Sequence, residues 1–159
     1  MKVFITKDAL DPYKEIMEFE RSDLPAGKHG GVVSFVGTMR DFNDGQDVAA
    51  MDLDYYPGMT EHHIERVCQE AIDEWDVMDT LVVHRVGKMV PTDPIVLVAV
   101  WSAHRKDAFD ACRYIINYLK ESAPFWKCEV TTAGEKHWVE HNSEDPGVAA
   151  RVKGLKKSA

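Results

Sequence analysis

His104 and Arg105 stand side by side, Lys120 follows fifteen residues later, and Lys127 comes seven residues after that. The segment that holds them, WSAHRKDAFDACRYIINYLKESAPFWK from Trp101 to Lys127, reads as an apolar strand, a polar SAHR turn, a helix and a PFWK loop. Where a chain leaves a strand to begin a helix, free backbone N–H groups favour an anion. An arginine adds a permanent cation there, and a histidine adds a donor that titrates near neutrality. The pair is therefore a candidate phosphate site. The same stretch also has plainer readings. His-Arg at such a junction can be a solvated turn, Lys120 near a helix end answers the macrodipole, and Lys127 beside Trp126 can lay its stem along an aromatic face.

A second pattern, His137-Trp-Val-Glu140-His141, spells the H-x-x-E-H of inverted zinc peptidases. That chemistry needs a helix to bring both imidazoles to one face, together with a third ligand and an open position. Here the string contains a β-type pair and is flanked by Gly134 and Pro146, so surface histidines are the expectation and no metal is assigned. Cys68, Cys112 and Cys128 are odd in number and lack C-x-x-C spacing, which suggests neither a disulfide framework nor a cysteine zinc site. They read as small core hydrophobes.

The elements that must position these groups follow from periodicity. Residues 3–6 predict a strand, and Asp11-Pro12 supplies a cap and first-turn proline for a helix to about Arg21. GVVSFVGTM from Gly31 predicts a buried strand, which runs into the loop RDFNDGQD with a tight-turn signal at Asp44-Gly45. In VAAMDLDYY, Met51, Leu53 and Tyr55 alternate with Asp52, Asp54 and Tyr56, a half-buried strand expected to pair with the preceding one. Thr60 is expected to cap a helix whose apolar face is Ile64, Val67, Cys68, Ala71, Ile72 and Trp75. Residues 80–86 and 95–101 predict a hairpin around the turn-rich GKMVPTDP. Ala108, Cys112, Ile115 and Leu119 mark a helix that must stop before Pro124. FWKCEVT and HWV are closing strands. Hairpins with inserted helices predict an α+β fold with a largely antiparallel sheet and two main packed helices. Residues 1–140 form a single catalytic domain in this reading, and 141–159 a polar, flexible tail.

With 159 residues, 45% of them hydrophobic, the chain has enough apolar material for one core and too little for two. A net charge of -8 repels nucleic-acid phosphate, and no apolar run approaches membrane-spanning length, so neither nucleic acid nor membrane is an expected partner. No targeting segment is visible, which predicts a cytosolic (cytoplasmic) protein.

The segments GGVVSFVGTMRD (30–41), DLDYYPGMTE (52–61), VVHRVGKMVPTDPIV (82–96), SAHRKDAFDACRYIINYLK (102–120) and APFWKCE (123–129) occur in one order. In this combination the chain resembles the large, catalytic subunit family of molybdopterin synthase. The resemblance implies an alpha/beta-hammerhead-like fold and a sulfurtransferase acting on cyclic pyranopterin monophosphate. It also implies a small ubiquitin-like partner whose Gly-Gly tail brings sulfur as a C-terminal thiocarboxylate. Two sulfurs are transferred, the cyclic phosphate opens to a monoester, and two large subunits form the centre of a heterotetramer. No cofactor is implied.

Carried over on matching positions, the resemblance makes Lys120 and Lys127 catalytic. It assigns Arg40, His104 and Arg105 to substrate binding, with Thr38, Met39, Cys128 and Glu129 as flanking pocket residues, and leaves the FVG motif's Phe35 intact. Phe35, Phe125 and Trp126 are expected to line the pocket and the groove for the partner's tail. The residue types suit these roles: an arginine fork fits phosphate oxygens, and a lysine among cations or partly desolvated can serve as acid, base or nucleophile. A further lysine can stabilise a thiocarboxylate or an acyl-transfer oxyanion. A noncatalytic anion-binding relative with the same fold is the alternative.

Overall fold

The computed structural model describes residues 1–43 and 45–139. Asp44 of the expected tight turn, Glu140 and His141 of the H-x-x-E-H string, and the expected tail at 141–159 lie outside the described residues.

Two strands, Val77–Arg85 (β5) and Pro94–Ser102 (β7), are almost continuously buried and form the middle of a four-stranded sheet. Their β-branched runs suit a sheet covered on both sides. Lys2–Thr6 (β1) lies parallel to β5, and Gly31–Thr38 (β2) antiparallel to β7, which gives the order β1-β5-β7-β2. One face packs against two helices, Met59–Glu74 (α2) and Arg105–Glu121 (α3). Their apolar stripes bury Ile64, Val67, Cys68 and Ala71 from the first, and Ala111, Cys112, Ile115 and Leu119 from the second. The other face carries a smaller cluster of Leu81, Val83, Leu97, Ala99 and Trp101 with Phe19 of Pro12–Ser22 (α1). Asp11 caps α1 by accepting the Lys14 N–H at 3.1 Å.

A second sheet is antiparallel, in the order β3-β4-β8-β9: Phe42–Asn43, Gln46–Tyr55, Phe125–Thr131 and Lys136–Val139. Gly87–Met89 (β6) also pairs antiparallel with β4, over Met51 to Leu53. The inner face of β4, Val48, Met51 and Leu53, joins the core beneath α2 and α3. The fold is thus α+β with mostly antiparallel pairing, as predicted.

Two local expectations are corrected. β2 does not pair with β4. None of its residues is fully buried: Val33 packs on the α2–α3 cluster and Val36 on the α1 cluster, while Val32 and Phe35 stay exposed, which fits an edge strand beside β7 and not the buried strand expected. A register irregularity at Gly37/Thr38 then sends the chain away. β4, with Asp52 and Asp54 on one side, suits a sheet with one wet face. Thr60 is not the cap of α2 either. Gly58, at φ +81°, takes that place, and its N–H donates to the Glu61 carboxylate at 2.7 Å. Thr60 is wholly buried and ties three segments instead. Its hydroxyl accepts the Tyr56 N–H at 3.2 Å and donates to the Pro124 carbonyl at 3.3 Å.

Among the described residues no helix is long and apolar enough to cross a membrane.

Candidate active site

Helix α3 ends with the exposed Lys120 in its last turn. The N–H groups of Ser122 and Ala123 both return to the Tyr118 carbonyl, at 2.8 and 3.2 Å, and close the helix. Only Ser122, Ala123 and Pro124 then separate it from β8, and the Thr60 hydroxyl holds Pro124 from the start of α2. Lys120 and Lys127 therefore belong to two rigid elements joined by one short, anchored turn.

The PFWK segment is not a loop, because Phe125, Trp126 and Lys127 begin strand β8. Alternation puts Phe125, Lys127 and Glu129 on one face, opposite Tyr55, Leu53 and Met51 of β4, while Trp126 and Cys128 take the other. Phe125 is buried and stacks on His84 of β5, with centroids 4.1 Å apart. Trp126 is partly exposed and meets the Tyr56 ring edge-on at 4.7 Å. Cys128 is buried.

Lys127 and Glu129 form an ion pair at 2.7 Å, with 31% and 13% of their side chains exposed. Both Glu129 oxygens also lie 3.1 Å from the Asn43 amide nitrogen. That contact joins β8 to the segment after β2. In this segment Thr38 and Arg40 are exposed and Met39 is buried, and the Arg40 guanidinium lies over the Phe42 ring at 4.8 Å. The Met39 N–H donates to the Asp93 carbonyl, and its own carbonyl accepts the Thr92 N–H, each at 2.9 Å. Asp93 in turn holds Arg85 at 3.2 Å. Thr92 has φ +78°, the left-handed conformation that this tight junction with Met39 imposes on a β-branched residue.

At the opposite end of α3, His104 is the N-cap, with extended backbone and no side-chain cap bond. Its own N–H donates to Ser102 Oγ at 3.1 Å, and that hydroxyl donates to the Asp76 carbonyl at 2.6 Å. First-turn N–H groups of α3 are thus left without a capping side chain. They border a shallow, open depression lined by Gly30, Ala103, His104, Arg105 and Lys106. Gly30 is required there, since a Cβ would collide with the Ala103 carbonyl oxygen. Phe35 of β2 is partly exposed.

The structure thus brings Arg40, Glu129 and Lys127 into one connected region, next to the turn that carries Lys120. It does not bring His104 and Arg105 there. Fifteen helical steps take the chain from Arg105 to Lys120, about 22 Å along the axis.

A family model described as MoaE protein matches residues 5–122. The chain belongs to the MoaE protein family. It is 52% identical over 134 residues to the molybdopterin synthase catalytic subunit of Ralstonia nicotianae, an overlap of 83% of this chain and 76% of that protein. Among solved structures, the molybdopterin biosynthesis MoaE protein from Burkholderia ambifaria superposes with a TM-score of 0.79 and 41% identity, covering 96% of this chain and 97% of that one. A more distant structure agrees in fold at TM-score 0.72 and 21% identity, covering 89% and 92% of the two chains. It is the complex of subunits 1 and 2 of molybdopterin-converting factor from Helicobacter pylori.

Within this MoaE chain, two residues stand out that sequence reasoning did not select. Asn43 sat unmarked in a polar loop, and its partner Glu129 is 86 positions away, so no local signal could have joined them. His84 interrupts the apolar run LVVHRV, which is the sign of a buried histidine. It is buried, and desolvation pushes its pKa down to about 4 against a smaller opposing effect of its bond to the Arg85 carbonyl. His137 of the zinc-like string sits on strand β9, where its imidazole lies 3.5 Å from Glu135. No group of three or more His, Cys, Asp or Glu among the described residues could hold a metal.

Proposed function

We propose that this chain is the catalytic subunit of a molybdopterin synthase in the cytosol, with residues 1–140 as its catalytic unit. In this reading it transfers two sulfurs from the C-terminal thiocarboxylate of a small ubiquitin-like partner to cyclic pyranopterin monophosphate, which gives the dithiolene of molybdopterin. Family membership supplies the reaction. The observation that carries it to particular residues is the pair of lysines on α3 and β8, fixed on either side of one anchored three-residue turn. Lys127 meets the anionic thiocarboxylate and the oxyanion that forms as its carbonyl is attacked. Lys120 serves the same centre as a proton-transfer group or amine nucleophile.

The substrate's phosphate is assigned to Arg40, His104 and Arg105. Because α3 separates the last two from Lys120 by about 22 Å, one chain cannot close the site around a single small substrate. We therefore assign His104 and Arg105 to the site of a second copy, so that a central dimer completes two equivalent centres. The partner's Gly-Gly tail is thin enough to reach Lys127 where side chains would clash, with Trp126 and Phe125 bordering its route.

The test is to incubate the chain with thiocarboxylated partner and precursor and to look for dithiolene product. Wild type should form it, and folded Lys120→Ala should not. Near-normal turnover by Lys120→Ala at saturating partner would remove Lys120 from the mechanism. No product from wild type would favour the noncatalytic, anion-binding relative.

A further inference from the structure

The Lys127–Glu129 pair poses a difficulty for a lysine that must engage an incoming anion. The Glu129 side chain is only 13% exposed, and Lys127 is its ion-pair partner. If the ammonium turns to another anion, a mostly buried carboxylate loses that partner, which is unfavourable unless another donor remains. The cross-strand neighbours do not supply one. On β4, Met51 stands opposite Glu129 and Leu53 opposite Lys127. On β9, His137 stands opposite Glu129 but engages Glu135 at 3.5 Å, and Val139 stands opposite Lys127.

Asn43 is the group that remains. A carboxylate can only accept, so the amide presents its NH2 end, with the nitrogen 3.1 Å from both oxygens. It comes from β3, which is held by its own pairing to β4 through Phe42–Asp47 and Asn43–Gln46 and does not depend on where Lys127 points. We propose that Asn43 is a positioning residue that acts on Lys127 through Glu129: it keeps the carboxylate fixed and hydrogen-bonded while the ammonium leaves for an anionic ligand. The same contact ties the segment bearing Arg40 to the strand bearing Lys127, so the phosphate and thiocarboxylate groups keep their spacing. This rests on the reading that Lys127 belongs to the reacting site.

An amide that merely braced the strand and an amide that shares the carboxylate with Lys127 give opposite results when removed. Without a brace, Lys127 would be freer. Without a shared donor, Lys127 becomes the carboxylate's main remaining partner and is held harder. The measurement is the initial rate at which acetic anhydride labels Lys127 in the full chain at one fixed pH, read by peptide mass spectrometry relative to the exposed Lys28. Asn43→Leu, of similar branched shape and without a donor, should slow Lys127 labelling by roughly tenfold, the scale of a hydrogen bond to a charged group. Glu129→Gln should accelerate it, and the double variant should match Glu129→Gln alone, because Asn43 acts only through the carboxylate. Asn43→Thr, which keeps a donor, should stay near the wild-type rate. Lys127 labelling in Asn43→Leu at or above the wild-type rate overturns the proposal. Should Asn43→Leu fail to melt cooperatively, Asn43→Ala against Asn43→Thr makes the same comparison. Lys127→Ala, assayed for turnover alongside, separates the two claims. Full activity there removes Lys127 from catalysis, while the labelling rates still decide the role of Asn43.

Discussion

His84 of β5 lies flat against Phe125 of β8, their ring planes 23° apart, so a neutral imidazole joins the main sheet to the strand that carries Lys127. Burial holds its pKa near 4, against 6.5 for a free imidazole. Between those values the unfolded chain binds a proton that the folded chain refuses. Stability is therefore fully present above about pH 6.5 and is lost as the pH falls toward 4, by at most about 3 kcal/mol from this one group. Urea midpoints measured from pH 7 to 4 should fall for wild type and fall less for His84→Phe, which keeps the stack. Parallel slopes would mean that His84 is protonated inside the fold at little cost.

A site completed by two copies has a signature in mixtures. His104→Ala and Lys120→Ala should each be inactive alone, yet co-refolding them in equal amounts should restore about a quarter of wild-type activity. Half of the dimers are then mixed, and each mixed dimer holds one intact centre. Mixtures as inactive as the separate variants would place all the groups of a centre in one chain.

Thr60→Val keeps the shape of the side chain and removes the hydroxyl that satisfies Tyr56 and Pro124. Leaving those backbone groups without it should destabilise the fold by about 1–3 kcal/mol and lower Tm by several degrees. Hydrogen exchange should quicken at Phe125 and Trp126, just past the released turn, more than in the distant strand β1. Uniform quickening across the chain would show that Thr60 stabilises the fold without anchoring that turn.

Sulfur chemistry invites suspicion of cysteines, but Cys68, Cys112 and Cys128 are all buried in this chain. Desolvation pushes the Cys68 and Cys112 thiols up to about 11. Native protein at neutral pH should take up essentially no iodoacetamide while a free cysteine control is fully alkylated, and three equivalents should enter after unfolding. Rapid native labelling of any one of them, read by mass spectrometry, would reopen a thiol route.

What could be read ahead of the structure was whatever local periodicity decides. The stripe Ala108, Cys112, Ile115, Leu119 gave α3 and both of its chemical ends, and the alternation in Met51, Leu53, Tyr55 gave β4 with its wet side. Which strands would pair was not local. β2 and β4 both read as strands of β type, but β2 sets Val33 and Val36 against two different clusters while β4 keeps Asp52 and Asp54 on one wet face, and the two go to separate sheets. Lys127 and Glu129 could be named from the PFWKCE segment, whereas Asn43 could not, since its amide acquires a role only when a strand 86 residues later arrives beside it. Thr60 misled for a related reason. Its type and position suit a cap, but Gly58, free to adopt φ +81°, starts the helix earlier.

Gly30 shows how a mutational survey of this protein could be misread. Its backbone rests directly on the Ala103 carbonyl beside His104, with no space for even a methyl group. In a screen scored by growth, Gly30 would therefore be as intolerant as the lysines, and it would look like part of the chemistry. Scoring cellular abundance in parallel separates the two causes: Gly30 variants should vanish from the folded pool, while Lys120 variants should persist as well-folded, silent protein.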